Sequence, residues 1–90
     1  MKKRDRLKVI YDMLNIIKQN KNSIKPTPLL RYSNLSSQGF SEYFKELKER
    51  EFVKERRDNK GRKFITLTDK GFEYLEKYKV ITGFIEEFEL

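Results

Sequence analysis

The longest stretch of β character runs from Phe52 to Leu67, where apolar and β-branched residues flank the turn signal Asn59-Lys60-Gly61. Asn and Gly tolerate positive φ, so this segment predicts a hairpin with strands over Phe52–Asp58 and Lys63–Leu67. A lone hairpin is marginal in water and needs helices packed on its apolar face. The chain has 90 residues, enough for one domain.

Helices are predicted on both sides of the hairpin. Leu7, Ile10, Leu14 and Ile17 recur on one face of a helix over Asp5–Gln19, which Val9 and Met13 widen. Ser23-Ile24-Lys25 is expected to be extended, because Pro26 disfavours the α region for the residue before it. Thr27 followed by Pro28 predicts a capped helix start and a short helix over Pro28–Tyr32. Ser33-Asn34-Leu35-Ser36 reads as a turn, with Leu35 filling the gap between two helices. Ser36 then caps a third helix over Ser37–Arg50, with Phe40, Phe44 (or Tyr43) and Leu47 facing the core. Gly39 is small enough there to let another backbone or a phosphate approach. After the hairpin, Thr68 and Asp69 start a last helix that runs towards Phe88, and Gly83 is expected to kink or fray it.

Helix, short strand, helix, turn, helix, hairpin, helix is the order of an α+β winged helix-turn-helix with an added C-terminal helix. In that fold the third helix enters a major groove and the hairpin touches the neighbouring backbone or minor groove. The boundary is expected at 68/69, with a DNA-binding unit over 1–68 and a dimerisation element over 69–90.

The charge distribution agrees. Net charge is +7, but residues 1–70 carry 19 Lys/Arg against 9 Asp/Glu, and residues 71–90 carry 2 against 5. A polyanion suits the first part and not the second. There is no Cys and no His, which removes thiolate chemistry, the usual neutral-pH base and the common transition-metal ligands. No phosphate-cradling glycine loop or metal-ligand cluster stands out, so neither an enzyme nor a cofactor is expected. No apolar run approaches membrane-spanning length, and no small-molecule site is evident. An intracellular, nucleoid-associated location follows as the expectation.

The segment Phe64-Ile-Thr-Leu-Thr-Asp-Lys-Gly-Phe-Glu-Tyr-Leu75 resembles the LTxKGxxxL run that follows the wing in many small prokaryotic winged-helix regulators. Thr27-Pro-Leu-Leu-Arg-Tyr-Ser-Asn-Leu-Ser36 and Tyr43-Phe-Lys-Glu-Leu-Lys-Glu-Arg-Glu-Phe-Val53 are similar to an archaeal group of these proteins. The resemblance covers roughly residues 7–78. It implies a transcriptional regulator or a chromatin-associated DNA-binding protein that dimerises through its C-terminal helix.

Candidate DNA-binding residues follow from position. On the third helix, Ser37, Gln38 and Ser41 suit base edges, and Lys45 and Lys48 suit phosphates; Glu42 on the same face fits less well. On the hairpin, Arg56, Arg57, Lys60, Arg62 and Lys63 surround the tip, apt for a narrow minor groove. Arg31, near the end of the second helix, is a further candidate. Lys2, Lys3, Arg4 and Arg6 read as a frayed, solvated arm. In the last helix, Tyr74, Tyr78, Ile81, Ile85 and Phe88 are spaced like a coiled-coil seam, predicting a homodimer, while Phe72 and Leu75 face the chain's own core. Alternatives are an architectural chromatin protein of low sequence specificity and a winged-helix protein-interaction module.

Overall fold

The computed structural model describes residues 4–90. The elements are α1 (Arg6–Gln19), α2 (Pro26–Ser33), α3 (Ser37–Glu49), β1 (Val53–Arg57), β2 (Lys63–Leu67) and α4 (Asp69–Glu87). The two strands form an antiparallel hairpin pairing Val53 with Leu67 through Arg57 with Lys63. Ile24 adds an isolated bridge on the other side of β2, exchanging both hydrogen bonds with Ile65 at 3.1 and 2.8 Å. This is the extended piece expected before Pro26.

α1 is the centre of the core. Val9, Ile10, Met13, Leu14 and Ile17 are all buried. Ile24, Leu29, Phe40, Leu47, Val53, Ile65, Leu67 and Leu75 close around them from every other element. Truncating one such side chain to Ala typically costs about 2–5 kcal/mol. Leu7, expected on this face, is half exposed instead. It lies at the edge, and its carbonyl accepts the Tyr74 hydroxyl at 2.8 Å. Burial pushes the Tyr74 phenol up to about 12, which keeps it a donor.

Three helix starts match their local chemistry. Asp5 accepts from the Lys8 amide at 2.8 Å, Ser36 from Gly39 at 3.0 Å and Thr68 from Gly71 at 3.1 Å. α2 departs from expectation. It begins at Pro26, with Lys25 as an extended N-cap residue making no side-chain cap bond. Both prolines sit in the first turn, where their missing N–H groups cost nothing, so Thr27 is inside the helix. α2 ends on Asn34 in the left-handed region. Gly83 does not end α4, which is continuous through it.

The basic arm is also corrected. Arg4 donates to the Ser33 carbonyl at 2.9 Å and pairs with Asp12 at 2.9 Å, so it caps α2 and ties it to α1. Arg6 pairs with Glu46 and thus joins α1 to α3. Lys2 and Lys3 lie outside the described residues.

Gly71 is required by a close approach of backbone. A Cβ there would lie 2.3 Å from the Phe52 carbonyl oxygen. The first turn of α4 therefore rests directly on the α3–β1 connection. The Thr68 hydroxyl donates to the Glu51 carbonyl at 2.5 Å, and the Thr68 amide to Phe52 at 3.1 Å. This docking fixes the hairpin relative to α3 from behind.

Candidate nucleic-acid interface

α3 is two-faced, as its sequence requires. Phe40 and Leu47 are buried, with Phe44 stacked on Phe40 at 5.6 Å. Ser37, Gln38, Ser41, Glu42, Lys45 and Lys48 are all exposed on the remaining surface. Gly39 does not receive another backbone. The group nearest a Cβ there is the Ser36 hydroxyl at 3.1 Å, so the small residue serves the helix cap.

The wing tip is organised by Asp58, which sequence reasoning passed over. Its carboxylate accepts from the Lys60 and Arg62 amides at 2.9 and 2.8 Å and from Arg62 Nε at 2.6 Å. The Arg62 amide, above all, holds this carboxyl below its ordinary value. An Asp opening a turn is a recognisable signal for such a bracket. Only Gly61 in the turn takes a positive φ, 78°, and Arg57 donates to its carbonyl at 2.9 Å. Asn59, which also tolerates positive φ, does not take it.

Cross-strand pairing sorts the wing side chains by face. Paired residues of an antiparallel ladder point to the same side. Val53, Glu55 and Arg57 thus share a side with Leu67, Ile65 and Lys63, the side that turns towards the core. Lys54 and Arg56 lie on the other. Glu55 was also missed. It takes Lys48 of α3 on one oxygen and Lys63 of β2 on the other, each at 3.0 Å. Hydrogen bonds from Lys48 and then Lys63 hold its carboxyl below the ordinary range. No local pattern marks this pair of contacts, which joins two elements.

The expected cations therefore fall into distinct settings. Lys48 and Lys63 share Glu55, and Arg62 is paired with Asp58. Lys45 reaches Glu49 only at 3.9 Å. Lys54, Arg56, Arg57 and Lys60 are exposed and make no ion pair among the described residues. Arg31 stands apart on α2, its guanidinium 5.3 Å from the Tyr32 ring centre. Among the described residues no group of His, Cys, Asp and Glu is placed to hold a metal.

The expected seam on α4 divides in two. Tyr74 packs against Phe52 at 5.2 Å, and Tyr78 stacks on Tyr11 of α1 at 4.5 Å, both within the chain. Ile81, Ile85 and Phe88 are exposed, joined by Val80 and by Phe84, whose ring lies 4.8 Å from Phe88. Phe72 and Leu75 pack on the core as expected. An apolar groove of about 310 Å³ runs beside α4, with Leu7, Phe52, Tyr74, Tyr78 and Ile81 along it. No described helix is long and apolar enough to cross a membrane.

Three solved structures share this fold. Sso10a-2, a DNA-binding protein from Sulfolobus solfataricus, superposes with a TM-score of 0.75 at 15% identity, over 96% of this chain and 86% of that one. MepR, a transcription regulator of the Staphylococcus aureus multidrug efflux pump MepA, gives 0.76 at 16% identity, over 89% of this chain and 60% of that one. F93 from STIV, a winged-helix DNA-binding protein, gives 0.73 at 19% identity, over 89% and 91%. No curated protein matches the chain. The winged helix-turn-helix family model matches residues 3–86, and the chain belongs to that family.

Proposed function

We propose that this protein binds duplex DNA as a winged-helix transcriptional regulator, not as an enzyme, and works inside the cell on the chromosome. The observation that carries the reading is the exposed polar face of α3 beside a wing whose tip is ringed by cations. In this reading α3 lies in the major groove. Gln38 meets an adenine edge, Ser37 and Ser41 meet base edges or phosphates, and Lys45 and Lys48 meet phosphates. Arg56, Arg57, Lys60, Arg62 and Lys63 lie along the adjacent backbone or minor groove, where Arg is favoured by negative potential. Arg31 adds a flanking phosphate contact. Sso10a-2 and F93, which share this fold, are DNA-binding proteins, and this supports the same reading.

Assembly belongs to the reading. Residues 1–68 carry the DNA contacts, and the outer part of α4 pairs two copies. Ile81, Ile85 and Phe88 supply the contact, with Val80 and Phe84 widening it; Tyr74 and Tyr78 brace the helix at its base. Burying one large apolar side chain is worth about 1.5–3 kcal/mol, so a few on each chain can offset the entropy of association. The acidic end, Glu86, Glu87 and Glu89, keeps this part away from DNA.

The test is a titration of labelled duplex across salt. Each phosphate neutralised contributes about −0.9 to the slope of log affinity against log salt. Steep salt dependence is expected. Replacing Arg56, Arg57 and Arg62 with Ala should weaken binding to every sequence and flatten the slope. Salt-insensitive binding, or none, would contradict the reading.

A further inference from the structure

The Lys48–Glu55–Lys63 bridge sits where recognition helix and wing meet. Glu55 lies on the core-facing side of the hairpin and reaches outward to α3. Its two oxygens are each taken by one lysine at 3.0 Å. Both lysines belong to the candidate interface, one on each of its two halves. The bridge is partly exposed, with 27% of the Glu55 side chain accessible. Phosphates can therefore reach it, and it is not a core feature.

We propose that Glu55 sets specificity by withholding Lys48 and Lys63 from non-specific DNA. The inference rests on the DNA-binding reading above and concerns how the same interface discriminates. The bound carboxylate holds both ammonium groups and offsets one of their two charges, so the pair releases fewer counterions when the protein meets an arbitrary duplex. A phosphate entering the corner also meets the negative charge of Glu55. Only a site that seats α3 fully brings a phosphate close enough to displace or share the carboxylate. The cations without a carboxylate partner, Lys54, Arg56, Arg57 and Lys60, supply the sequence-independent attraction. Glu55 thus raises the ratio of specific to non-specific binding by penalising the wrong complex.

The experiment compares Glu55→Gln with the unmodified protein and with Glu49→Gln. The second variant loses the same charge from α3, but its partner Lys45 is only loosely held at 3.9 Å. Random-sequence duplex is titrated at low and moderate salt, and a selected preferred duplex is titrated in parallel. Glu55→Gln is expected to bind random duplex more tightly and to steepen the salt slope by about one to two. Each lysine released then multiplies the loss of affinity between 50 and 200 mM salt by about threefold. Preference for the selected duplex should fall, and Glu49→Gln should do little. Equal effects of both variants would mean bulk charge is responsible and would overturn the inference. So would weaker binding of Glu55→Gln to both duplexes, which would make Glu55 a support for the lysines. Failure of the unmodified protein to bind duplex removes the DNA reading itself, and this inference with it. An unchanged helical signal and unfolding midpoint confirm that each variant is folded.

Discussion

α1 and α4 are built from similar residues and stand in opposite situations. α1 buries Val9, Ile10, Met13, Leu14 and Ile17, none more than 4% exposed. α4 buries Leu75 and half-buries Phe72, Tyr74 and Tyr78, then leaves Val80, Ile81, Phe84, Ile85 and Phe88 at 40–71% exposure. The helix is continuous across that change. The difference lies in what faces it. Up to Tyr78, α4 lies against α1 and the α3–β1 connection; beyond it, no described element covers the helix. An amphipathic pattern therefore identifies a face that needs a partner without saying whose chain supplies it.

The comparison can be broken most sharply in α1. Leu14→Ala should lower unfolding free energy by about 2–5 kcal/mol, because the cavity opens among fully packed neighbours. Ile85→Ala should change the stability of the unassociated chain very little. Urea unfolding at low protein concentration, where association is negligible, measures both. Comparable losses from the two would mean that the end of α4 is covered within the chain.

Gly71→Ala tests the docking of the buried half of α4. The added Cβ meets backbone at 2.3 Å, so the α4 start or the Phe52 connection must shift. Overpacking of this kind costs about 1–3 kcal/mol, and more where backbone is the obstacle. A midpoint unchanged in thermal unfolding would show that α4 docks more loosely than this close approach requires.

The exposed half has its own test. Replacing Ile81 and Ile85 with Asp should leave helix content intact but convert a dimer to a monomer with most of its DNA affinity lost. Sedimentation at tens of micromolar decides this. A monomeric unmodified protein would end the assembly proposal.

The smallest effect expected is on acid stability. Glu46 is held below its ordinary value by Arg6 and then Arg50, and Glu55 by its two lysines. With folded values below unfolded ones, their contribution is complete above the usual carboxylate range. It is lost as pH falls through 4.5 and below. Thermal midpoints measured down the acid limb should fall there, and Glu46→Gln should make that limb shallower. Exposed pairs add little, so the change should be modest.

What the sequence makes legible follows from the range of the interactions. Asp5, Ser36 and Thr68 bond to amides three residues away, so each cap can be read locally. The hairpin follows from its turn residues for the same reason. Two prolines two positions apart both suit a first helical turn, and nothing local favours Pro28 over Pro26. Arg4, Arg6 and Glu55 act through partners on other elements, so each looked like one charge among many. Gly71 was legible as part of a motif, but its reason is contact with Phe52, nineteen positions earlier. Tyr74 and Tyr78 fit a heptad seam because spacing describes one surface, and α1 occupies that part of it.

The measurement that bears most directly on the central claim is selection from random duplexes, run on the unmodified protein and on a Gln38→Ala, Ser41→Ala variant. With α3 in the major groove, the unmodified protein should enrich a motif. The variant should lose preference by about 1–3 kcal/mol per base contact while keeping its salt slope. A variant that retains both the motif and the affinity would place a different surface on the DNA and contradict the account.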